Sequence, residues 1–356
     1  MDNGSCVSTW TVRRRQMARN PGRRLLYWQP GRKCPWPVCQ GATGIWSNRP
    51  LQISLAKCLP MTEVQRPVIF GEVLYDCFPD GQAILGGAPF NVAWHLQGFG
   101  LAPLFISRVG DDPLGHRVRD AMHKHGMDTS GLQLDSLHPT GKVNITMSGN
   151  SHSFEIIPDQ AYDHIEQYGL PPLPDIALFY HGSLAARSPV SAQTLAFLNT
   201  RYAGKRLVDV NLRSPWWQLQ QVLELVDGAW LAKLNDEELL QLLPAADDDA
   251  SRMQQLISNA GLQLLLVTRG AAGAELLTAA GDRFRVAPDP VASVVDTVGA
   301  GDAMTSVFIL GVLQGWPYQQ TLERAQAFAA AIVGRRGAIV EAASFYQPFI
   351  ETGELP

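Results

Sequence analysis

Short apolar runs recur along most of this chain, at residues 68–70, 104–107, 176–180, 207–210, 229–232 and 264–268, and between them lie stretches with helical ends. A brief apolar run with no polar alternation is the pattern of a strand buried on both faces. Ser188 ahead of Pro189 marks a helix start, and Gly204 lies past its end. Asp111 and Asp112 open another helix that stops near Gly126. These are the residue types that cap helix termini. Parallel strands need crossover connections, so the alternation predicts βαβ units: an α/β fold with a mostly parallel central sheet and helices on both faces. Ligands of such a sheet bind beyond the carboxyl ends of its strands.

Two stretches break the alternation. Residues 75–86 and 141–157 are rich in turn formers and short alternating pieces, the second holding Lys142-Val143-Asn144-Ile145-Thr146-Met147 and a Ser-Gly-Asn-Ser turn. They predict strands of a small separate sheet, a flap over one edge of a cleft. Residues 273–286 read as a further hairpin with Ala280-Gly281-Asp282 at its tip.

Charge divides the chain near Met61. Residues 1–60 carry ten Lys or Arg against one acid, +9, and residues 61–356 carry 19 against 32, −13. The acidic part offers no footprint for nucleic acid. The first 60 residues have neither an apolar run nor helical periodicity and are expected to be a disordered basic leader outside the folded domain, with Met61 as the natural start; they lack a signal-peptide core. Four of the five cysteines fall in that leader and Cys77 stands alone in the body. The body therefore has no disulfide framework, in keeping with a cytoplasmic protein. Cys34 and Cys39 lack a second ligand pair nearby and are not read as a zinc site. No segment is long and apolar enough to span a membrane. The 296 residues of 61–356 suffice for one large α/β domain.

The chemistry is concentrated in Asp296-Thr297-Val298-Gly299-Ala300-Gly301-Asp302, followed by the apolar run 303–313 and the stop Gly315-Trp316-Pro317. This reads as a strand end, a glycine-rich turn and a buried helix. The first amides of a helix lack internal partners, and Gly299, Ala300 and Gly301 leave them open to an anion such as a phosphoryl group. The carboxylate of Asp302 would repel a resting phosphate, yet it is placed to take the proton of a hydroxyl attacking that phosphate. Phosphoryl transfer needs positioning, charge neutralisation and such a group. The plainer alternative, that Asp302 only complements the helix dipole and the glycines only make a turn, stays open on this motif alone. A dinucleotide site is disfavoured, because Met304 stands where a third glycine belongs and Asp302 would oppose a pyrophosphate.

The string DTVGAGDAMTSVF resembles the C-terminal signature of the ribokinase-like (phosphofructokinase-B) sugar kinases, usually DTTGAGD, with Val298 in place of the second Thr. A second block matches upstream: Gly86-Gly87-Ala88-Pro89-Phe90-Asn91-Val92-Ala93, then Gly98 and Gly100, then Val109-Gly110-Asp111-Asp112-Pro113-Leu114-Gly115. The resemblance spans Met61 to about Ala343 and implies a three-layer ribokinase-like fold with a small β-sheet lid. It also implies roles. Asp302 matches the catalytic base, and Gly299, Ala300 and Gly301 the anion hole. Asn235 and Glu238 fit the family's N-x-x-E element, which organises Mg2+ and phosphates largely through water. Thr268, Gly270 and Gly273 resemble the T-x-G-x-x-G turn that contacts the nucleotide. Asp76 resembles an acidic contact to substrate hydroxyls, and Gly86, Gly87 and Asn91 match the sugar-binding turn and helix start. Asp209-Val210-Asn211-Leu212-Arg213 is similar to a D-x-N-x-R stretch that would put Asn211 near the phosphates and Arg213 near the transferred group or the substrate; Arg213 reads equally as a surface cation. Asp296 with backbone carbonyls would hold a monovalent cation, K+, although loss of the Thr at 298 weakens that site.

These matches imply an ATP- and Mg2+-dependent kinase that phosphorylates a primary hydroxyl of a small sugar, most like the bacterial fructokinases. GGAPFNVA and DVNLR point to fructose. The lid stretch Asn144-Ile145-Thr146-Met147 lacks the arginine that sugar-acid kinases use for a carboxylate. A 2-keto-3-deoxygluconate-type acid and a riboside are the alternative substrates, and a non-catalytic sugar- or nucleotide-binding relative is the alternative of another class. Family members often pair through their lids, which implies a homodimer. His123 and His125, two apart on a helix, face different ways and make a poor metal pair. Trp216 and Trp217 read as packing residues.

Overall fold

The structure is a computed structural model that describes residues 66–148, 151–202, 204–287 and 295–350. The expectation for residues 1–60 therefore lies outside the described residues. In chain order the elements are β1 (Arg66–Phe70), β2 (Leu74–Cys77), β3 (Ala83–Gly86), α1 (Ala88–Gly98), β4 (Leu104–Gly110), α2 (Pro113–Lys124), β5 (Leu132–Asp135), β6 (Gly141–Ser148) and β7 (Ser151–Ile156). They continue with β8 (Ile176–His181), α3 (Pro189–Arg201), β9 (Arg206–Asp209), α4 (Leu219–Val226), β10 (Leu231–Asn235), α5 (Asp236–Leu242), α6 (Asp249–Ala260) and β11 (Leu264–Thr268). The last are β12 (Ala274–Thr278), β13 (Arg283–Val286), α7 (Ala300–Gln314), α8 (Tyr318–Val333) and the short α9 (Gln347–Ile350).

Among the described residues, nine strands form the main sheet in the order β13-β12-β11-β10-β9-β8-β1-β4-β5. From β11 to β5 the pairing is parallel, and the hairpin β12–β13 closes one edge antiparallel. Helices α1, α2, α7 and α8 pack on one face around Phe90, Trp94, Val307, Phe308 and Phe328, and α3 to α6 cover the other. The apolar runs of the sequence are thus the inner strands of a three-layer α/β fold. Strands β3-β2-β6-β7 make a separate four-stranded sheet from the two predicted lid stretches, with residues 149–150 of its turn outside the described residues.

Strand β1 lies between β8 and β4, so the order reverses there. Beyond the carboxyl ends of the strands at such a switch point a crevice opens. Glu72 follows β1, Gly182 follows β8, and Asn211 lies just past β9. Helix α7 brings its first turn to the same region. Its residues 303–311 are buried, and Val307, Phe308, Ile309 and Leu310 are each at most 1% exposed. Full burial of such side chains stabilises by about 1.5–3 kcal/mol each, which anchors the helix from behind.

Two local expectations are corrected. The strand expected at 229–232 runs instead over Leu231–Asn235, because Lys233, which ends an apolar run, is buried with a charged partner and the strand continues through it. Residues 295–297 form no strand; the amides of Val295 and Asp296 donate to Val333 O at the end of α8 (3.0 and 3.2 Å). The ends of α3 are as expected: Ser188 holds the N-cap position, though without a side-chain capping bond, and the helix ends at Arg201, before Gly204.

Candidate active site

Helix α7 starts from Gly299, whose φ of 81° is left-handed and whose added Cβ would collide with the Cβ of Ala338. Only glycine turns the chain there without strain. The predicted anion hole needs one refinement. Ala300 N–H donates to Thr297 O (3.3 Å), so its amide is engaged in the turn. The amides of Gly301 and Asp302, at the second and third helical positions, have no carbonyl one turn below inside the helix to accept them. Asp302 therefore brings both a carboxylate and an open amide to the crevice.

The Asp302 Oδ2 accepts a hydrogen bond from Asn91 Nδ2 at 2.7 Å, across 211 residues of sequence. Asn91 is 3% exposed on the first turn of α1, and its Oδ1 has no hydrogen-bond partner among the described residues. A buried acceptor aimed beside a carboxylate suits a ligand hydroxyl. Burial raises the pKa of Asp302 to about 6; the Asn91 bond, the Lys233 ammonium and Arg213 pull it down, and Asp209 pushes it up.

Around this pair the other expected residues assemble. Gly87 caps α1 with φ 107°, and a Cβ there would lie 2.8 Å from Glu72 O, so the turn rests directly on the end of β1. Gly86 ends β3, and its ideal Cβ position is 3.8 Å from Asp76 Oδ2 on the neighbouring lid strand. Burial raises the pKa of Asp76 to about 6, with Asp296 adding to the shift and Arg213 opposing it. Arg213 is exposed, donates from Nη1 to Leu212 O (3.0 Å), and its charge opposes the upward shifts of Asp76, Glu72 and Asp302.

At the end of β10, Asn235 caps α5 with a reciprocal box: its Oδ1 accepts from Glu238 N (2.7 Å), and Glu238 Oε2 accepts from Asn235 N (2.9 Å). Glu238 Oε1 accepts from Leu212 N (2.7 Å), which ties the Asn211–Arg213 loop to the start of α5. Asn211 itself has φ 41°. Thr268 pairs beside Asn235 in the sheet, and the turn through Gly270 and Gly273 closes with Arg269 N–H donating to Gly273 O (2.8 Å). Asp296 turns inward: Oδ1 accepts from Val298 N (3.0 Å) and Oδ2 from Gly337 N (3.1 Å).

Two residues of this region were not anticipated. Glu72 is 3% exposed, its Oε2 has no hydrogen-bond partner among the described residues, and burial raises its pKa to about 7. Lys233, 7% exposed on β10, places Nζ 3.0 and 3.1 Å from the two carboxylate oxygens of the fully buried Asp209. A lysine inside an apolar central strand was the available signal, since it demands a carboxylate partner. Elsewhere, Arg108 is spent on Asp135 (2.7 Å) and Glu166 (3.2 Å). His138, Asp159 and His164 bring ligand atoms within 4.8 Å of one another, but the two rings stack at 3.5 Å and 11°, so their nitrogens point along parallel lines instead of at a shared ion.

Known proteins resemble this chain in sequence and in fold. The sequence profile of the pfkB family of carbohydrate kinases matches residues 76–343. The fructokinase of Klebsiella pneumoniae is 33% identical over 266 residues, 69% of this chain and 83% of its own length. The fructokinase of Xylella fastidiosa with bound ATP superposes with a TM-score of 0.72 at 24% identity, over 79% of this chain and 98% of that one, a likeness of fold. That of Vibrio cholerae, in a form with fructose, ADP and calcium bound, gives a TM-score of 0.68 at 25% identity over 81% and 99%. No helix among the described residues is long and apolar enough to cross a membrane. A profile spanning three quarters of the chain, over the fold and crevice described above, establishes that this protein belongs to the pfkB family of carbohydrate kinases.

Proposed function

We propose that this protein transfers the γ-phosphoryl group of MgATP to a primary hydroxyl of fructose, with Asp302 as the base. The observation that carries the reading is the 2.7 Å bond from Asn91 to Asp302, which joins the sugar-side helix start to the anion-side helix start beside open amides. As the hydroxyl oxygen bonds to the γ-phosphorus, its proton passes to Asp302 and the bond to the ADP oxygen breaks. A base whose conjugate acid titrates near 6 is ionised at neutral pH, yet it holds a proton better than an ordinary aspartate. The amides of Gly301 and Asp302 and the guanidinium of Arg213 oppose the charge that builds on the phosphoryl oxygens. Asn91 Oδ1 and Asp76 grip sugar hydroxyls, and Asn211, Asn235, Thr268, Gly270 and Gly273 line the nucleotide side.

Both Glu238 oxygens accept backbone amides, which fits this carboxylate to holding Mg2+ through water; the ion neutralises phosphate charge when bound. Each Asp296 oxygen accepts one amide and retains a second lone pair, so a monovalent cation such as K+ remains compatible with it. The absence of arginine from the lid stretch 144–147 favours a neutral sugar over an acidic one. Cys77, the one cysteine of the body, is free, in keeping with a cytosolic site of action. Lid strand β7 carries Phe154, 58% exposed, on the sheet through which a homodimer would form.

ADP release at fixed MgATP with fructose, 2-keto-3-deoxygluconate and a riboside tests the substrate. The highest kcat/KM is expected with fructose; a higher value with the acid would move the assignment, and no turnover with any of them would make the protein a binder. Asp302→Ala is expected to lower kcat by at least about 10²-fold and leave ATP affinity within a few-fold. Near wild-type turnover in that variant would remove Asp302 as the base.

A further inference from the structure

We infer that Lys233, clamped by Asp209, is the positioning residue that seats the first turn of α7 and balances the charge around Asp302. The inference rests on Asp302 being the base of the proposed transfer. A buried ion pair is costly to desolvate, and apolar replacements are often as stable, so stability alone gives no reason for charges on two adjacent central strands. Their placement does. The Asp209 carboxylate holds the ammonium by both oxygens (3.0 and 3.1 Å) and also receives Tyr180 OH from β8 and Thr305 Oγ1 from α7, each at 3.4 Å. Thr305 Oγ1 lies 2.9 Å from Gly301 O, which links the pair to the turn that offers the open amides. A Cβ built on Gly301 would lie 3.0 Å from Lys233 Nζ, so the ammonium packs directly beneath that turn.

The charged groups that act on Asp302 are therefore Lys233 from β10, Asp209 from β9, Arg213 from the following loop and Glu72 from the end of β1, with Asn91 donating from α1. Lys233 and Asp209 act with opposite sign. An ammonium alone beneath Asp302 would capture the carboxylate as its own partner and weaken it as a base. With Asp209 taking both sides of the ammonium, Asp302 stays free for the hydroxyl proton while the turn remains supported from below.

The test titrates the Asp302 carboxyl by 13C NMR, assigned with Asp302→Asn, alongside the pH dependence of kcat/KM. In Asp209→Asn the freed ammonium turns to Asp302: its midpoint and the acid limb are expected to fall by at least about half a pH unit, with kcat reduced about tenfold or more and KM for MgATP within about threefold. The double variant Asp209→Asn/Lys233→Met removes both charges, and the midpoint is expected to return to about the wild-type value. Lys233→Arg keeps the pair but crowds Gly301, so kcat is expected to fall with the midpoint unmoved. An Asp209→Asn midpoint equal to wild type, a double variant displaced as far as the single, or wild-type kcat in Lys233→Arg would each overturn the inference. Should Asp209→Asn fail to fold, the double variant and Lys233→Arg carry the test. The NMR arm needs no turnover, so a wild-type protein that phosphorylates no sugar would end the functional reading separately.

Discussion

Glu72, Asp76 and Asp302 line one crevice, and burial lifts all three carboxyl groups above their ordinary range, to about 7, 6 and 6. With Asp302 as the proposed base, an acid limb of kcat/KM is expected near pH 6, where its carboxylate takes up a proton. Stability moves the opposite way. A carboxyl whose folded pKa is raised favours folding while both states are protonated, and that contribution is lost as pH climbs through the folded value. For Glu72, raised from 4.5 to about 7, the ionised form is expected to cost the fold on the order of 3 kcal/mol at pH 8. Glu72→Gln should therefore melt several degrees above wild type at pH 8 and level with it at pH 4; coincident melting at pH 8 would mean the carboxyl is better solvated than its 3% exposure implies. Asp302 and Asn91 were legible in the sequence because the motifs around them have fixed spacing. Glu72 was not, since it stands beside an apolar run whose neighbours speak only of a strand; Lys233 signalled a buried carboxylate partner but not which one, because only the sheet brings Asp209 near.

The start of α7 depends on one backbone conformation, and it is the element most sensitive to a small change. Gly299→Ala adds a methyl group against Ala338 at a φ of 81°. Left-handed backbone alone costs a non-glycine residue about 1–2 kcal/mol, and the collision adds to it. The turn is expected to relieve the strain by shifting its amides, so kcat should drop by about 10²-fold or more with a loss in thermal stability of only several degrees. Equal kcat in Gly299→Ala, measured by ADP release, would show that the turn's position is not critical. The same scale explains what could be read ahead. Inner strands such as β8 and β11 are apolar up to their last residues, His181 and Thr268, because both faces are covered, so their sequences announce them. Strand β5, four residues at the sheet edge with only Asp135 fully buried, has no such signature. Asn235 looked like a phosphate ligand and is also a helix cap: its side-chain oxygen accepts the Glu238 amide, the capping-box bond that an Asn three residues before a Glu already signals in the sequence.

At the scale of the whole chain, the pfkB match begins at residue 76, and β1, the strand at the switch point, begins at Arg66. Starting the chain at Met61 would leave that strand and every site residue named above intact. Residues 1–60, at +9, differ in sign from the −13 that follows, so an electrostatic contribution from them to the kinase would fade with salt. The expectation is that protein lacking residues 1–60 keeps kcat and KM for sugar and MgATP within about twofold of the full chain, at low salt and at roughly 0.5 M salt alike. A difference present at low salt and gone at high salt would make the basic segment a working partner of the acidic domain. A loss of activity at both would instead place part of the folding information before Met61, which the position of β1 argues against: its hydrogen-bonding neighbours, β4 and β8, both lie downstream.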